Sequence, residues 1–192
     1  MNSQQIKEIL LSEIHEVSIN YEKYCNDPKR DFSRKRKLPF ELMLKNIIGM
    51  GSKSITNELI DIFQASGEMP SASAFVQQRT KIKPEALKAV FDGFMSRILA
   101  SADKMRILAV DGSDIQIETN PKDKMSHIST SIDKKSFNLL HLNALYDLEE
   151  HVYTDAIIQA AKSQNEHGAL NEMVDRSEIP KALVIADRGY ES

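Results

Sequence analysis

No apolar run in the 192 residues approaches the roughly 20 that a membrane-spanning helix needs, so no such span is expected. Cys25 is the only cysteine, which excludes an intrachain disulfide and fits a reducing, cytosolic compartment. The first residues, MNSQQIKEIL, lack a basic segment followed by an apolar core, so no secretory signal is expected. His127 and His141 have no His or Cys partner at zinc spacing, which leaves them structural roles. Internal repeats and low-complexity tracts are absent as well.

What is there is ordinary in bulk and uneven in detail. A hydrophobic content of 41% with 28% charged residues suits one large globular domain or two small ones. Residues 1–100 carry 15 Lys+Arg against 12 Asp+Glu, and residues 101–192 carry 10 against 16. A basic front and an acidic back suit a polyanion-binding region joined to a metal-binding one, or two unevenly solvated surfaces.

The front half reads as helical throughout. Ile6, Leu10, Ile14, Val17 and Tyr21 recur at three- and four-residue intervals, one face of a helix over 4–24. Pro39 opens a second helix, which Gly49 and Gly51 stop; Met43 is core filler in it. Ser54 caps a third, closed by Gly67. A short helix follows over 71–82, and Pro84 starts a last one containing Met95.

Two stretches of this half suit nucleic acid. KRDFSRKRK at 29–37 holds six basic residues and one acid, including Arg34, Lys35, Arg36 and Lys37. Such a run neutralises backbone phosphates, or forms a solvated loop. The segments 52–66 and 71–82 have the proportions of a helix-turn-helix, or of an ordinary helical hairpin. The second offers Gln77, Gln78, Arg79 and Lys81, side chains of the kind that contact DNA, with Gln and Arg able to read base edges.

From residue 104 the periodicity changes to that of strands. RILAV at 106–110 runs into Asp111-Gly112-Ser113, which interrupts a β-like stretch over Arg106–Ile117, and an apolar strand from Ala182 to Ala186 stops at Asp187-Arg188-Gly189. Residues 119–135 read as a mobile polar loop framed by Lys122, Lys124, Lys134 and Lys135, which are further candidates for DNA contact. FNLLHLNALYDL and HVYTDAIIQ form a hairpin turning at Glu149-Glu150, with a turn role for Asp147. A helix over 164–176 turns Leu170, Met173 and Val174 inward. An acid at the end of a buried parallel strand sits where α/β sheets bind ligands, and two on neighbouring strands converge on a divalent cation.

The order strand, strand, strand, helix, strand follows the ribonuclease H-like pattern. With VDGSDIQI around Asp111, LHLNALYDL at 140–148, YTDAIIQ at 153–159, IADRGYES at 185–192 and SASAFVQQRTKIKPEAL at 71–87, the chain resembles the DDE transposases of bacterial insertion sequences, in the family usually called IS-four. The resemblance implies an α+β protein: a helical DNA-binding region at 1–100, then an incomplete βββαβ ribonuclease H-like domain at 101–192. It implies that Asp111 and Asp187 are the first two acids of a catalytic triad. It also implies two Mg²⁺ ions, or Mn²⁺ in their place, and double-stranded transposon ends as substrate. A homodimer on DNA and a nucleoid-associated place in the bacterial cytoplasm go with it.

Arg188, inside the DRGY stretch, is a candidate for DNA phosphate or for offsetting the two acids. The family's third acid, a glutamate on a helix well downstream, and its tyrosine–arginine–glutamate–lysine signature are not in this chain. Glu191 does not take that role. The expectation is therefore an amino-terminal fragment with little strand-transfer activity, or a non-catalytic DNA-binding protein derived from a transposase. An unrelated nuclease of the same fold would need Asp114 or Asp155 as its third acid.

Overall fold

A computed structural model describes residues 2–34, 37–64, 66–99, 105–129 and 135–190. Lys35, Arg36 and Lys134 lie outside the described residues. The chain is α+β and divides into two compact units, Met1–Ser101 and Ala102–Ser192.

The first unit is built from α1 (Ser3–Ile19), α2 (Phe40–Gly49), α3 (Ile55–Phe63), α4 (Ala72–Arg79) and α5 (Glu85–Leu99). Polar caps start three of these helices. Asn2 accepts from the Gln5 amide while the Gln5 side chain accepts from the Asn2 amide, a reciprocal box. Ser54 and Ser71 accept from the Asn57 and Ala74 amides. Pro39 sits one position earlier than expected, as the residue flanking α2. The expected stop at Gly67 is not used: α3 ends at Gln64, which takes the left-handed conformation at φ 50°.

Two apolar clusters hold this unit. One joins Ile14 and Val17 of α1 to Phe40 and Leu44 of α2 and Val90 of α5. The other joins Met43 to Leu59 and Phe75. Cys25 is buried in the first cluster; burial, with the nearby Asp31 charge, pushes its thiol up to about 11, so it is a packing residue with no reactive thiolate.

The second unit is a mixed sheet with one helix. Its strands are β1 (Arg106–Ile117), β2 (His127–Ile128), β3 (Phe137–Asp147), β4 (Val152–Ala160) and β5 (Ala182–Ile185), with α6 (Glu166–Asp175) between the last two. β1 lies between antiparallel β3 and parallel β5; β4 and the two-residue β2 pair with β3. Leu108, Val110 and Leu145 pack against Met173 and Leu170 of α6, with Val184 and Tyr190.

Three expectations are corrected here. β1 runs unbroken through Asp111-Gly112-Ser113, because β3 pairs with every residue from Leu108 to Ile117. Val174 is 47% exposed, since α6 turns only the Ala169/Leu170/Met173 side to the sheet. The stretch 119–128 is tied down rather than loose. Buried Asn138 donates to the Asn120 carbonyl (3.1 Å) and the Ser126 hydroxyl (2.7 Å), and accepts from the Asn120 amide (2.9 Å). The Ser126 hydroxyl in turn donates to Asp123 (2.5 Å) and holds that carboxyl below its usual range.

A buried ion pair closes the other end of the sheet. Arg106 Nη1 meets Asp147 Oδ2 at 2.6 Å, both side chains essentially inaccessible. Asp147 Oδ1 accepts from the Glu149 and Glu150 amides at 2.9 and 3.0 Å, fixing the β3–β4 turn. Burial pushes the Asp147 carboxyl up, but the turn amides and the Arg106 guanidinium outweigh it and hold it below the usual value of 3.8. A depressed folded value means stability that is present above the unfolded pKa and lost as pH falls through the folded one. The β unit is therefore expected to lose stability as pH drops from about 3.8 downward, and an Arg106→Ala chain to lose about 3–5 kcal/mol at neutral pH. Chemical denaturation at both pH values checks this; an unchanged midpoint in the variant contradicts the pair's role.

Candidate functional site

Alternation along β1 sends Leu108 and Val110 toward α6 and leaves Ala109, Asp111 and Ser113 on the opposite face of the sheet. That face is uncovered among the described residues of this unit. It carries Leu183 (51% exposed) and Ile185 (48%) on β5, and Tyr153 and Ile158 on β4. A hollow of about 440 Å³ lies on it, lined by Asp111 and Ser113 with Leu142, Tyr146 and Tyr153. Tyr146 and Tyr153 meet edge to face at 4.9 Å across a β-bulge. Asp111 thus projects, exposed, from the middle of a strand into a shallow basin of mixed polarity.

β5 pairs with β1 in parallel register, Leu108 opposite Val184 and Ala109 opposite Ile185. Asp111 and Asp187 each lie two residues past that last rung. β5 is a half-exposed edge strand rather than the buried one expected, and it ends at Ile185, so Asp187 enters a short 3₁₀ turn, Arg188–Tyr190. Arg188 is exposed at the start of that turn.

Tyr190 closes the turn back onto the core. Its hydroxyl is buried with no hydrogen-bond partner among the described residues. Burial pushes the phenol up, and the charges of Glu166, Asp111 and Asp187 push it further. Three carboxylates therefore act on one phenol, and two of them are the acids at the ends of the parallel rungs. No set of three or more His, Cys, Asp or Glu among the described residues is grouped to hold a metal ion.

Gly112 explains how the next carboxylate comes so near. A Cβ there would lie 2.6 Å from His141 Nε2 and 2.7 Å from Glu166 Oε1. His141 stands opposite Asp114 in the β1–β3 register and is buried between two acids, 2.9 Å from Asp114 Oδ1 and 3.0 Å from Glu166 Oε1. The Nε2 contact has ion-pair distance without hydrogen-bond alignment. Sequence reasoning missed Glu166: it is the first residue of α6, and nothing local marks it. The glycine beside Asp111 was the available signal, since a strand glycine often marks a close approach.

Asp114 and Asp155 do not complete the set around Asp111. Asp114 is engaged by His141. Asp155 is gripped by Arg176 Nε and Nη2, both at 2.7 Å, which ties the end of α6 to β4.

Residues 102–192 match the family model for a transposase DDE domain. The match covers just under half of the chain and coincides with the β unit. No curated protein and no solved structure matches. The β unit is thus similar to DDE transposase domains. No helix among the described residues is long and apolar enough to cross a membrane.

The DDE-like unit does not contain the expected DNA contacts of the first half, which fall on the helical unit. Arg34, Gln78 and Lys81 line one hollow there. Gln77 and Arg79 are exposed on α4 and do not line it. Lys37 donates to the Gly67 carbonyl at 2.9 Å and lies 3.8 Å from Glu68. Lys35 and Arg36 are outside the described residues.

A methyl group at Gly112 forces apart the His141–Glu166 contact. Gly112→Ala is expected to cost about 1–3 kcal/mol, the usual range for overpacking, and to free the first turn of α6. Denaturant unfolding with amide exchange at Glu166–Asp175 measures both; wild-type stability and protection would refute the close approach.

Proposed function

We propose that the chain is a DNA transposase of the DDE class, of the IS-four type with its DRGY stretch, in which Asp111 and Asp187 hold a divalent cation beside the DNA backbone. The observation that carries this reading is the parallel pairing of β1 with β5, whose last rung, Ala109 opposite Ile185, lies two residues before each of the two acids. The match of residues 102–192 to transposase DDE domains supports the same reading.

The donor chemistry fits. Carboxylate oxygens are hard donors, and Mg²⁺ is commonly held by one or two carboxylates with water and substrate phosphate completing its shell. Two acids without a third partner are enough for that mode of binding, and Mn²⁺ suits the same donors. When bound, such ions supply Lewis-acid polarisation of a phosphodiester and activation of water or a 3′-hydroxyl. The chain's own part is positional. β3 pairs with β1 through Asp111 and β5 pairs with it up to Ala109, so Asp111 is presented from a hydrogen-bonded strand onto an open face that a DNA backbone can approach. Arg188, next to Asp187, is suited to a substrate phosphate.

With no third carboxylate grouped with these two among the described residues, strand transfer by this chain alone is expected to be weak or absent. The same observation favours the second reading, a DNA-binding protein derived from a transposase that acts without catalysis. In either case the partner is double-stranded DNA at transposon ends, the helical unit supplies the binding, and the place of action is the bacterial nucleoid; a homodimer on DNA belongs to the first reading.

Calorimetric titration with Mn²⁺ tests the proposal independently of activity. Asp111→Asn and Asp187→Asn are each expected to weaken binding by more than the roughly 10–100-fold that outer-shell changes cost. Asp61→Asn in the helical unit should leave it alone. Equal affinity in all four proteins refutes the metal site. Intact metal binding with no nicking of supercoiled DNA selects the non-catalytic reading.

A further inference from the structure

The helical unit holds its cations in two conditions. Some are answered by acids: Lys45 by Glu41, Lys53 by Asp61, Lys88 by Asp92 and Arg97 by Glu13. Lys29, Arg30, Arg34 and Lys81 form no ion pair among the described residues, and all four line one hollow of about 500 Å³. It lies between the turn 27–34 and the carboxyl end of α4.

The acids of the hollow are already engaged by its own backbone. Asp31 Oδ2 accepts from the Asp27 amide at 2.9 Å, and Asp27 Oδ1 from the Lys29 amide at 3.1 Å. Four cations against these two carboxylates leave the wall positive, which favours an anion.

The wall is also fixed before anything binds. Phe32 takes φ 55°, a left-handed conformation that a bulky side chain adopts only when its surroundings impose it. Its ring meets Phe40 edge-on at 5.1 Å and packs against both apolar clusters of the unit. On the other side the Asn26 amide donates to the Lys81 carbonyl (3.0 Å), the Asn26 side chain to the Thr80 carbonyl (2.8 Å), and Cys25 forms a β-bridge with Ile82. These contacts tie the turn to the end of α4, which sets the spacing of the backbone positions that carry the cations.

We propose that this hollow seats the sugar–phosphate backbone of duplex DNA, and that α4 serves as a backbone clamp rather than a base reader. The cations arrive from two chain segments, which suits a run of phosphates passing between them. Gln78 is the carboxamide in the wall, and its Oε1 accepts from Lys81 Nζ at 3.2 Å, so it orients a cation. Gln77 and Arg79, the other groups expected to read bases, stand outside. Binding through this hollow is therefore independent of sequence. This rests on the DNA reading above and adds to it where the backbone lies.

The test is fluorescence anisotropy of the full chain with two labelled duplexes of unrelated sequence over a series of salt concentrations. Replacing Arg34 and Lys81 together by alanine is expected to weaken both duplexes equally and to flatten the salt slope by about 0.9 for each phosphate no longer neutralised. Arg79→Ala and Gln77→Ala should keep the wild-type affinity. The charge-keeping pair Arg34→Lys with Lys81→Arg should restore the slope, which separates a missing charge from a damaged fold. An unchanged slope in the double alanine variant overturns the clamp while leaving DNA binding in place. So does a loss from Arg79→Ala as large as that from Lys81→Ala, or an effect confined to one duplex. Duplex RNA competing as well as DNA, or saturable inorganic phosphate binding without DNA binding, assigns the hollow to another ligand. No binding of either duplex by the wild type removes the DNA reading itself.

Discussion

The pairing of β1 on both edges is the constraint from which the DDE-like unit follows. β3 fixes one edge in antiparallel register over ten residues, and β5 fixes the other in parallel over four. A one-residue slip against β3 would turn Asp111 into the apolar core and Val110 out to solvent. The buried Arg106–Asp147 pair opposes such a slip, since both charges would lose their partner inside the sheet. Which face of the sheet Asp111 takes is decided at these rungs.

The two faces of that sheet then divide the labour. One face is closed by α6, through Met173, through the Arg176–Asp155 fork at its carboxyl end and through the Glu166–His141 contact at its start. The other face carries Asp111 among Leu183, Ile185, Tyr153 and Ile158, all well exposed. Gly112 is the hinge between these tasks. Its missing side chain lets Glu166 lie close on the covered face while its neighbour Asp111 stays free to project on the open one.

Much of this was legible from periodicity. The helical faces of α1, α2 and α5 and the cap Ser54 are local signals, and the structure uses them. The strand–hairpin–helix–strand order was legible for the same reason. What escaped depends on contacts distant in sequence. A polar Asp-Gly-Ser step reads as the end of a strand, and only the partner β3 carries the strand through it. Residues 119–128 read as loose because their anchor, Asn138, lies across the sheet. Gln64 ends α3 in place of a glycine through a backbone conformation its composition does not announce. The basic run 29–37 and the α4 residues were visible as two separate stretches. That Arg34 and Lys81 face one hollow is a matter of the turn imposed by Phe32, which no pattern of charges reveals.

Function in the proposed sense depends on Asp111 of β1 and Asp187, just past the end of β5, gripping one cation. A crystal structure of the chain soaked in Mn²⁺, with anomalous scattering recorded at the manganese edge, examines this directly. The expected result is an anomalous peak within coordinating distance of both carboxylates, on the sheet face away from α6. A peak elsewhere on the chain, or a fully occupied site touching only one of the two acids, would contradict it.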